Sequence, residues 1–320
     1  MAPNASSLFF LYLYGRYRRI KMKRNEIMIK ADLHIHSNYS SDGEFEVSDI
    51  INKSLTQNID YLSLTDHNSV KGIDEAIVSA GKAGITFIPG IEIDCNFEGI
   101  DLHVLGYRMN WKSADFSRLE ESVYSKVMDS FAEMIHNIQK LGFIINASAV
   151  LAQAKGKLPT GELIAEVMLS DKKFYSPLLT PYMEGGERSD MPYINFYLDY
   201  FAQGKPAFVP INFITYKNAI NLIKDNGGTP IVAHPGLNLK NKESIVETLL
   251  DNGAEGLEVF NNYHSMEQIS YFADTVQKRN AIMTCGSDFH GKTKPLINIG
   301  QSKFDNQYED YLEHSIQLLS

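Results

Sequence analysis

Two histidines one residue apart stand in the run Asp32-Leu33-His34-Ile35-His36, and Ser40-Ser41-Asp42-Gly43 follows closely. On an extended strand side chains alternate, so His34 and His36 face one side and can meet a single metal ion, with Asp42 in the adjoining loop. Such a pair is equally at home on an ordinary surface, and the rest of the chain shifts that balance. Comparable groups recur at Thr65-Asp66-His67-Asn68, Pro89-Gly90-Ile91-Glu92, Leu102-His103-Val104-Leu105-Gly106 and Ala233-His234-Pro235-Gly236. Two more follow at Gly256-Leu257-Glu258-Val259, with His264 behind it, and at Gly286-Ser287-Asp288-Phe289-His290. Imidazole and carboxylate without thiolate suit Zn, Mn or Fe, and the donors exceed what one ion needs, so two or three ions are expected.

The elements that must position these residues are legible in the hydropathy pattern. Short β-rich runs are predicted at Ile29 to Leu33, Tyr61 to Leu64, Thr86 to Ile88, Leu102 to Gly106, Pro230 to Ala233, Gly256 to Phe260 and Ala281 to Cys285. Between them fall predicted helices at Val47 to Gln57, Val70 to Ala83, Lys217 to Asn226, Lys242 to Asn252, Ser265 to Arg279 and Tyr308 to Leu319. Strand alternating with helix implies a parallel sheet or barrel, and active sites of α/β barrels collect at the carboxyl ends of strands. Seven of the nine histidines occupy such ends; His136 and His314 lie on predicted helices and receive no role.

Residues 107–205 break the rhythm with a long helical pattern through Leu141, shorter helices near Ala147 to Ala154, Glu162 to Leu169 and Tyr193 to Phe201, and a polar loop from Lys172 to Met191. This stretch reads as a helical insertion, or lid, between barrel segments 27–106 and 206–320. Ahead of the barrel, the apolar segment Ser7 to Tyr14 precedes its basic residues Arg16, Arg18, Arg19, Lys21, Lys23 and Arg24, the reverse of an export signal, and is too short to span a bilayer. Residues 1–26 are therefore expected to be a disordered extension, with Met22 or Met28 as alternative starts.

Composition narrows the function classes. The 44% hydrophobic content supports a full core, and a net charge of -9 argues against a nucleic-acid scaffold held by bulk electrostatics. Two cysteines, Cys95 and Cys285, are too few for a disulfide framework, suit a reducing cytoplasm and read as buried apolar residues. No G-x-S-x-G elbow is present.

Taken together, DLHIHS with SDG, LTDHN, PGIEI, DLHVLGY, AHPG, GLEVF with a trailing histidine, and GSDFHG make the chain resemble the PHP family of polymerase and histidinol phosphatase domains over nearly Ile29 to His290. The resemblance implies an α/β fold, a distorted barrel of seven βα units carrying a helical insertion, and up to three metals. One would use His34, His36, Glu92 and Asp288; a second Glu92, His103 and His234; a third Asp42, His67 and His290. Asp66 is expected to orient a ligand, since outer carboxylates commonly fix imidazole tautomers. Glu258 reads either that way or as plain strand structure. His264, outside the three sets, is the candidate to contact phosphate or protonate the leaving alkoxide.

Closely spaced metals lower the pKa of a bridging water to give hydroxide and clamp phosphoryl oxygens, so the expected enzyme is a metal-dependent phosphoesterase acting on a small phosphorylated metabolite or nucleotide. Within the family the pattern looks most like 3',5'-nucleoside bisphosphate phosphatases. Where such relatives carry a Gly-Arg-Pro segment, however, this chain reads Lys157-Leu158-Pro159-Thr160-Gly161-Glu162, with Lys155, Lys157, Arg188 and Lys205 as substitute cations. The alternatives are an exonuclease acting on short RNA or DNA ends by the same chemistry, and a non-catalytic module. An amidohydrolase is less well matched, because no lysine occurs in the predicted strands from Thr86 onward. No membrane association and no stable nucleic-acid complex are expected.

Overall fold

The structure, a computed structural model, describes residues 29–320; the expectations for residues 1–26 and for Met22 and Met28 lie outside them. The fold is mixed α/β. Its first half runs β1 (Ala31–Asp32), α1 (Val47–Thr56), β2 (Tyr61–Leu62), α2 (Ile73–Ala83), β3 (Thr86–Phe87), β4 (Gly90–Phe97) and β5 (Ile100–Tyr107). Helices α3 (Ala114–Lys140), α4 (Ala147–Ala154), α5 (Gly161–Ser170) and α6 (Pro192–Tyr200) follow, with two 3-10 turns at Lys172–Phe174 and Pro177–Tyr182. The chain then returns through β6 (Ile214–Thr215), α7 (Tyr216–Asp225), β7 (Thr229–Val232), α8 (Pro235–Leu239), α9 (Ile245–Asp251), β8 (Gly256–Phe260), α10 (Met266–Arg279), β9 (Ile282–Cys285) and α11 (Glu309–Leu319).

Strands β1, β2 and β3 pair in parallel, and a second sheet has the order β6-β4-β5-β7-β8-β9, in which β5 runs antiparallel to both neighbours. The two sheets meet at two places. Ile35 bridges Phe289 and Leu33 N–H donates to the Cys285 carbonyl, while His67 bridges Glu92. Strand β4 was not anticipated, since the predicted strand ends at Ile88 with Glu92 placed just after it. Its hairpin to β5 turns on Glu98 (φ 50°) and Gly99 (φ 82°), a two-residue connection with both central residues left-handed, as the right-handed strand twist favours.

That turn sets the register, which places Asp94 opposite His103 and Glu92 opposite Leu105. Along β4, Ile91, Ile93 and Cys95 enter the main apolar core with Val104, Val232 and Leu257, while Glu92 and Asp94 take the other face. Helix α3 starts at an N-cap where Ser113 accepts from the Asp115 N–H, and its 27 residues connect two cores. Val123 and Val127 belong to the main one, and Phe131, Ile135 and Ile138 to a separate cluster with Ile164 and Phe196 of α5 and α6. Helix α10 opens with a reciprocal Ser265–Gln268 capping box, which fixes the end of the loop leaving β8. No described helix is long and apolar enough to cross a membrane.

Candidate metal centre

The carboxylate of Glu92, fully buried on β4, is the hub of the site. Its Oε2 lies 3.2 Å from the Nε2 atoms of both His34 and His36 and 3.4 Å from His67 Nδ1. Its Oε1 lies 2.9 Å from His103 Nδ1 and 3.0 Å from His234 Nε2. Asp288 Oδ1 closes the first group at 3.4 Å from His34 Nε2 and 3.2 Å from His36 Nε2. Asp42 Oδ2 gathers His290 Nε2 at 3.1 Å and His67 Nε2 at 3.7 Å. The described residues thus contain potential ligand groups at His34, His36, Glu92 and Asp288; at Glu92, His103 and His234; and at His36, Asp42, His67 and His290.

The polar atoms left without partners test whether these groups fit metal ions. His34 Nε2, His36 Nε2, His67 Nδ1, Glu92 Oε2 and His290 Nε2 are all buried and lack a hydrogen-bond partner, although each is close to another donor of the cluster. Buried polar atoms are almost always satisfied, so orphans converging on one place, with lone pairs aimed at shared space, are what ion ligands look like. The opposite ring nitrogens are anchored. His34 Nδ1 meets Glu258 Oε1 at 3.0 Å, His36 Nδ1 meets Ser40 Oγ at 3.3 Å, His234 Nδ1 meets Asn238 Oδ1 at 2.6 Å, and His290 Nδ1 donates to the Asp288 carbonyl at 2.8 Å. Such outer bonds fix each tautomer and leave the other nitrogen for an ion.

Electrostatics agrees. Burial opposes ionisation of Glu92, but His34, His67 and His103 hold its carboxyl well below the usual carboxylate range. Burial likewise opposes charge on Asp288, and Lys294, His290 and His34 outweigh it. Lys294 Nζ and Tyr263 Oη approach Asp288 Oδ2 at 2.5 and 2.7 Å, which leaves Oδ1 free to face the histidines. Asp288 (φ 59°) and His234 (φ 23°) both occupy backbone regions disfavoured for side chains of this kind, strain that clusters at functional sites. Gly286 permits the close approach of β9 to β1, since a Cβ there would lie 2.2 Å from His34 Cβ and 2.5 Å from Glu258 Oε1.

Two expected residues take other roles. The Asp66 carboxylate touches no imidazole within hydrogen-bond distance; it accepts from Ser37 N–H at 2.6 Å and Ser37 Oγ at 2.8 Å and so ties down the turn after His36. His264 is not brought to the cluster. Its Nδ1 donates to the Val259 carbonyl at 2.8 Å and its Nε2 accepts from Gly236 N–H at 3.1 Å, so neither nitrogen is available to a substrate. Burial also pushes its pKa down. Its place is to hold the turn that carries His234, and the phosphate-contact or acid role does not fit this environment. Glu258 receives the orienting role that the sequence left open, because its Oε1 meets His34 and its Oε2 accepts from His234 N–H at 2.7 Å.

Among the substitute cations, Arg188 is spent on Asp199, with Nε–Oδ2 at 2.9 Å and Nη2–Oδ1 at 3.0 Å, and Lys155 and Lys205 are exposed. Lys157 Nζ donates to the Ser40 carbonyl at 3.3 Å, beside the Asp42 loop.

Sequence reasoning missed Asp94. Its Oδ1 lies 3.2 Å from His67 Nδ1 and 3.3 Å from His103 Nε2, a further group of potential ligands, and Asn68 Nδ2 donates to its Oδ2 at 2.7 Å. The signal was its spacing two residues after Glu92, which places both on one strand face. Asp94→Ala is expected to lower metal retained after gel filtration and to weaken affinity about 10- to 100-fold, measured by competition with a chromophoric chelator. Retention equal to the parent would remove Asp94 from the site. Lys294 and Tyr263 were also missed, for they reach Asp288 from loops with no local pattern.

A PHP domain model matches residues 32–203. The chain belongs to the PHP domain family. Among its relatives in that comparison with known proteins, a 3',5'-nucleoside bisphosphate phosphatase of Chromobacterium violaceum is 25% identical over 280 residues, covering 86% of this chain and 92% of the relative. A 5'-3' exoribonuclease of Haemophilus influenzae is 27% identical over 264 residues, covering 82% and 90%. A solved structure described as a metal-dependent phosphoesterase, from Bifidobacterium adolescentis, superposes with a TM-score of 0.73 at 19% identity over 92% of this chain and 96% of that one, and so shares the PHP chain's fold.

Proposed function

We propose that this PHP protein is a metal-dependent phosphoesterase that hydrolyses a small phosphorylated metabolite or nucleotide. The observation that carries the reading is the set of buried, partnerless ring nitrogens of His34, His36 and His67 around the partnerless Oε2 of Glu92, whose Oε1 meets His103 and His234. We assign two or three divalent ions, Mn, Zn or Fe, to His34, His36, Asp42, His67, Glu92, His103, His234, Asp288 and His290. Once bound, such ions polarise phosphoryl oxygens and activate water at neutral pH. The chain's own residues orient and insulate that chemistry. Glu258 and Ser40 set the tautomers of His34 and His36, and Lys294 with Tyr263 fixes which oxygen of Asp288 faces the cluster.

The two sheets are read as one distorted barrel of βα units closed through the Ile35–Phe289 and His67–Glu92 bridges, with 27–106 and 206–320 forming the barrel and 107–205 the insertion above its mouth. Free, buried Cys95 and Cys285 support a reducing, cytoplasmic setting. An exonuclease reading shares the same centre and draws on the exoribonuclease relative; a non-catalytic module would have no use for so full a donor set.

Purification with Mn, elemental analysis and assay of phosphate release from mono-, bis- and cyclic phosphates test the proposal. Two or three ions with phosphate release are expected. A folded protein that binds no metal, or metal without phosphoester cleavage, would sink it.

A further inference from the structure

Beside the metal ligands a cavity of about 350 Å³ opens, a size suited to a small molecule. Its lining joins His67, Glu92, Asp94, His103 and His234 to a wall of residues from α3, α5, α6 and the segment before β6. That wall is mostly apolar and aromatic, with Leu158, Ile194, Tyr197, Phe201, Phe208 and Phe213 beside the polar Thr160, Glu162 and Gln203. The aromatics pack closely on α5: a Cβ on Gly161 would lie 2.8 Å from the Phe201 ring and 2.9 Å from that of Tyr197, so α5 and α6 are in direct contact.

Charge on this wall is of the wrong kind for a second phosphate. No arginine is among the described lining residues. Of the lining lysines, Lys294 is committed to Asp288 and Lys240 is exposed, while Lys157, outside the lining, donates to the Ser40 carbonyl. Within the wall, the group at the start of α5 is an acid, Glu162, which burial pushes up to about 7 with Asp42 adding to the effect. A phosphate group needs paired donors, and placing one against apolar rings and a carboxyl forfeits its hydration without replacement. Apolar carbon on the same surface gains by leaving water.

Resting on the phosphoesterase reading above, we propose that this site takes a phosphomonoester whose alcohol half is apolar or aromatic and carries no second phosphate. The phosphate lies toward the histidines and the carbon half lies against Tyr197, Phe201 and Phe208. This separates the chain from bisphosphate and polynucleotide substrates, whose remaining phosphates would need a paired-donor arginine that the described wall lacks.

The test uses the metal-loaded enzyme and four substrates: 2-phenylethyl phosphate, glycerol 1-phosphate, adenosine 3',5'-bisphosphate and a 5'-phosphorylated RNA dinucleotide. The first two leave as primary alkoxides, so their difference reports binding of the carbon half rather than leaving-group chemistry. The expected result is kcat/KM for 2-phenylethyl phosphate at least about tenfold above each of the others, a difference of about 1.4 kcal/mol. Phe201→Ala should shrink its ratio to glycerol 1-phosphate. A smaller preference, or preference for the bisphosphate or the dinucleotide, overturns the substrate assignment and leaves the phosphoesterase reading standing. Cleavage of none of the four overturns both. A second readout needs no turnover: calorimetry of 3-phenylpropylphosphonate should show affinity at least about tenfold above methylphosphonate, with a negative heat-capacity change. Equal affinities would overturn the assignment even if a variant failed to fold.

Discussion

Replacing Glu92 by Gln should lower phosphate release at least about 1000-fold, a loss of roughly 4 kcal/mol of transition-state stabilisation, while the purified protein carries fewer metal ions. The expectation rests on geometry rather than on charge alone. One carboxylate contacts five imidazoles, with Oε2 serving His34, His36 and His67 and Oε1 serving His103 and His234. Two oxygens serving two sets of nitrogens would let one carboxylate hold ions on both sides. The amide keeps the volume and one oxygen but loses the charge, and it can no longer face both sets with an acceptor. Elemental analysis alongside kcat/KM separates causes: parent-like metal content with slow turnover would assign Glu92 to the chemistry and not to ion binding. Parent-like turnover would overturn the assignment of the whole centre.

How far the sequence could be read depended on whether a signal was local. The strand-end positions of His34, His67, His234 and Asp288 follow from alternating hydropathy, and the structure carries strands beside each. Strand β4 escaped because it directly follows the strand read at Thr86 to Ile88 and reads as its trailing loop. In Ile91-Glu92-Ile93-Asp94-Cys95 the period of two is intact, and Glu92 and Asp94 turn toward a cluster of imidazoles instead of solvent. His264 misled for the opposite reason. A histidine just past a strand end suggests chemistry, but nothing in the sequence shows that the Val259 carbonyl and the Gly236 N–H would claim both its nitrogens. Lys294 lies six residues beyond Asp288 in a loop, and its bond to that carboxylate exists only after folding.

Removing the ions with a chelator should destabilise the folded protein strongly, with the thermal midpoint falling on the order of 8 °C. That figure takes about 4 kcal/mol for a site held at 1000 times its dissociation constant and about 2 °C per kcal/mol for a chain of this size. The physical source is the cluster itself. Without ions, His34, His36, His67 and His290 each keep a buried nitrogen with no hydrogen-bond partner, and Glu92 keeps a buried oxygen in the same condition. Protons are the substitute: burial opposes charging His34 and His67, yet the carboxylates beside them raise both well above the ordinary imidazole value. Groups whose folded pKa is raised stabilise the fold below their unfolded pKa, and that contribution fades as pH rises through the folded value. The chelated protein should therefore lose stability as pH rises above about 6.5, whereas the metal-loaded protein should hold its midpoint there, because ions compete best when imidazoles are unprotonated. Differential scanning fluorimetry across pH 6 to 9 with and without chelator, restored by adding Mn or Zn, measures both curves. Coincident curves would mean that the buried nitrogens are satisfied by something other than a metal.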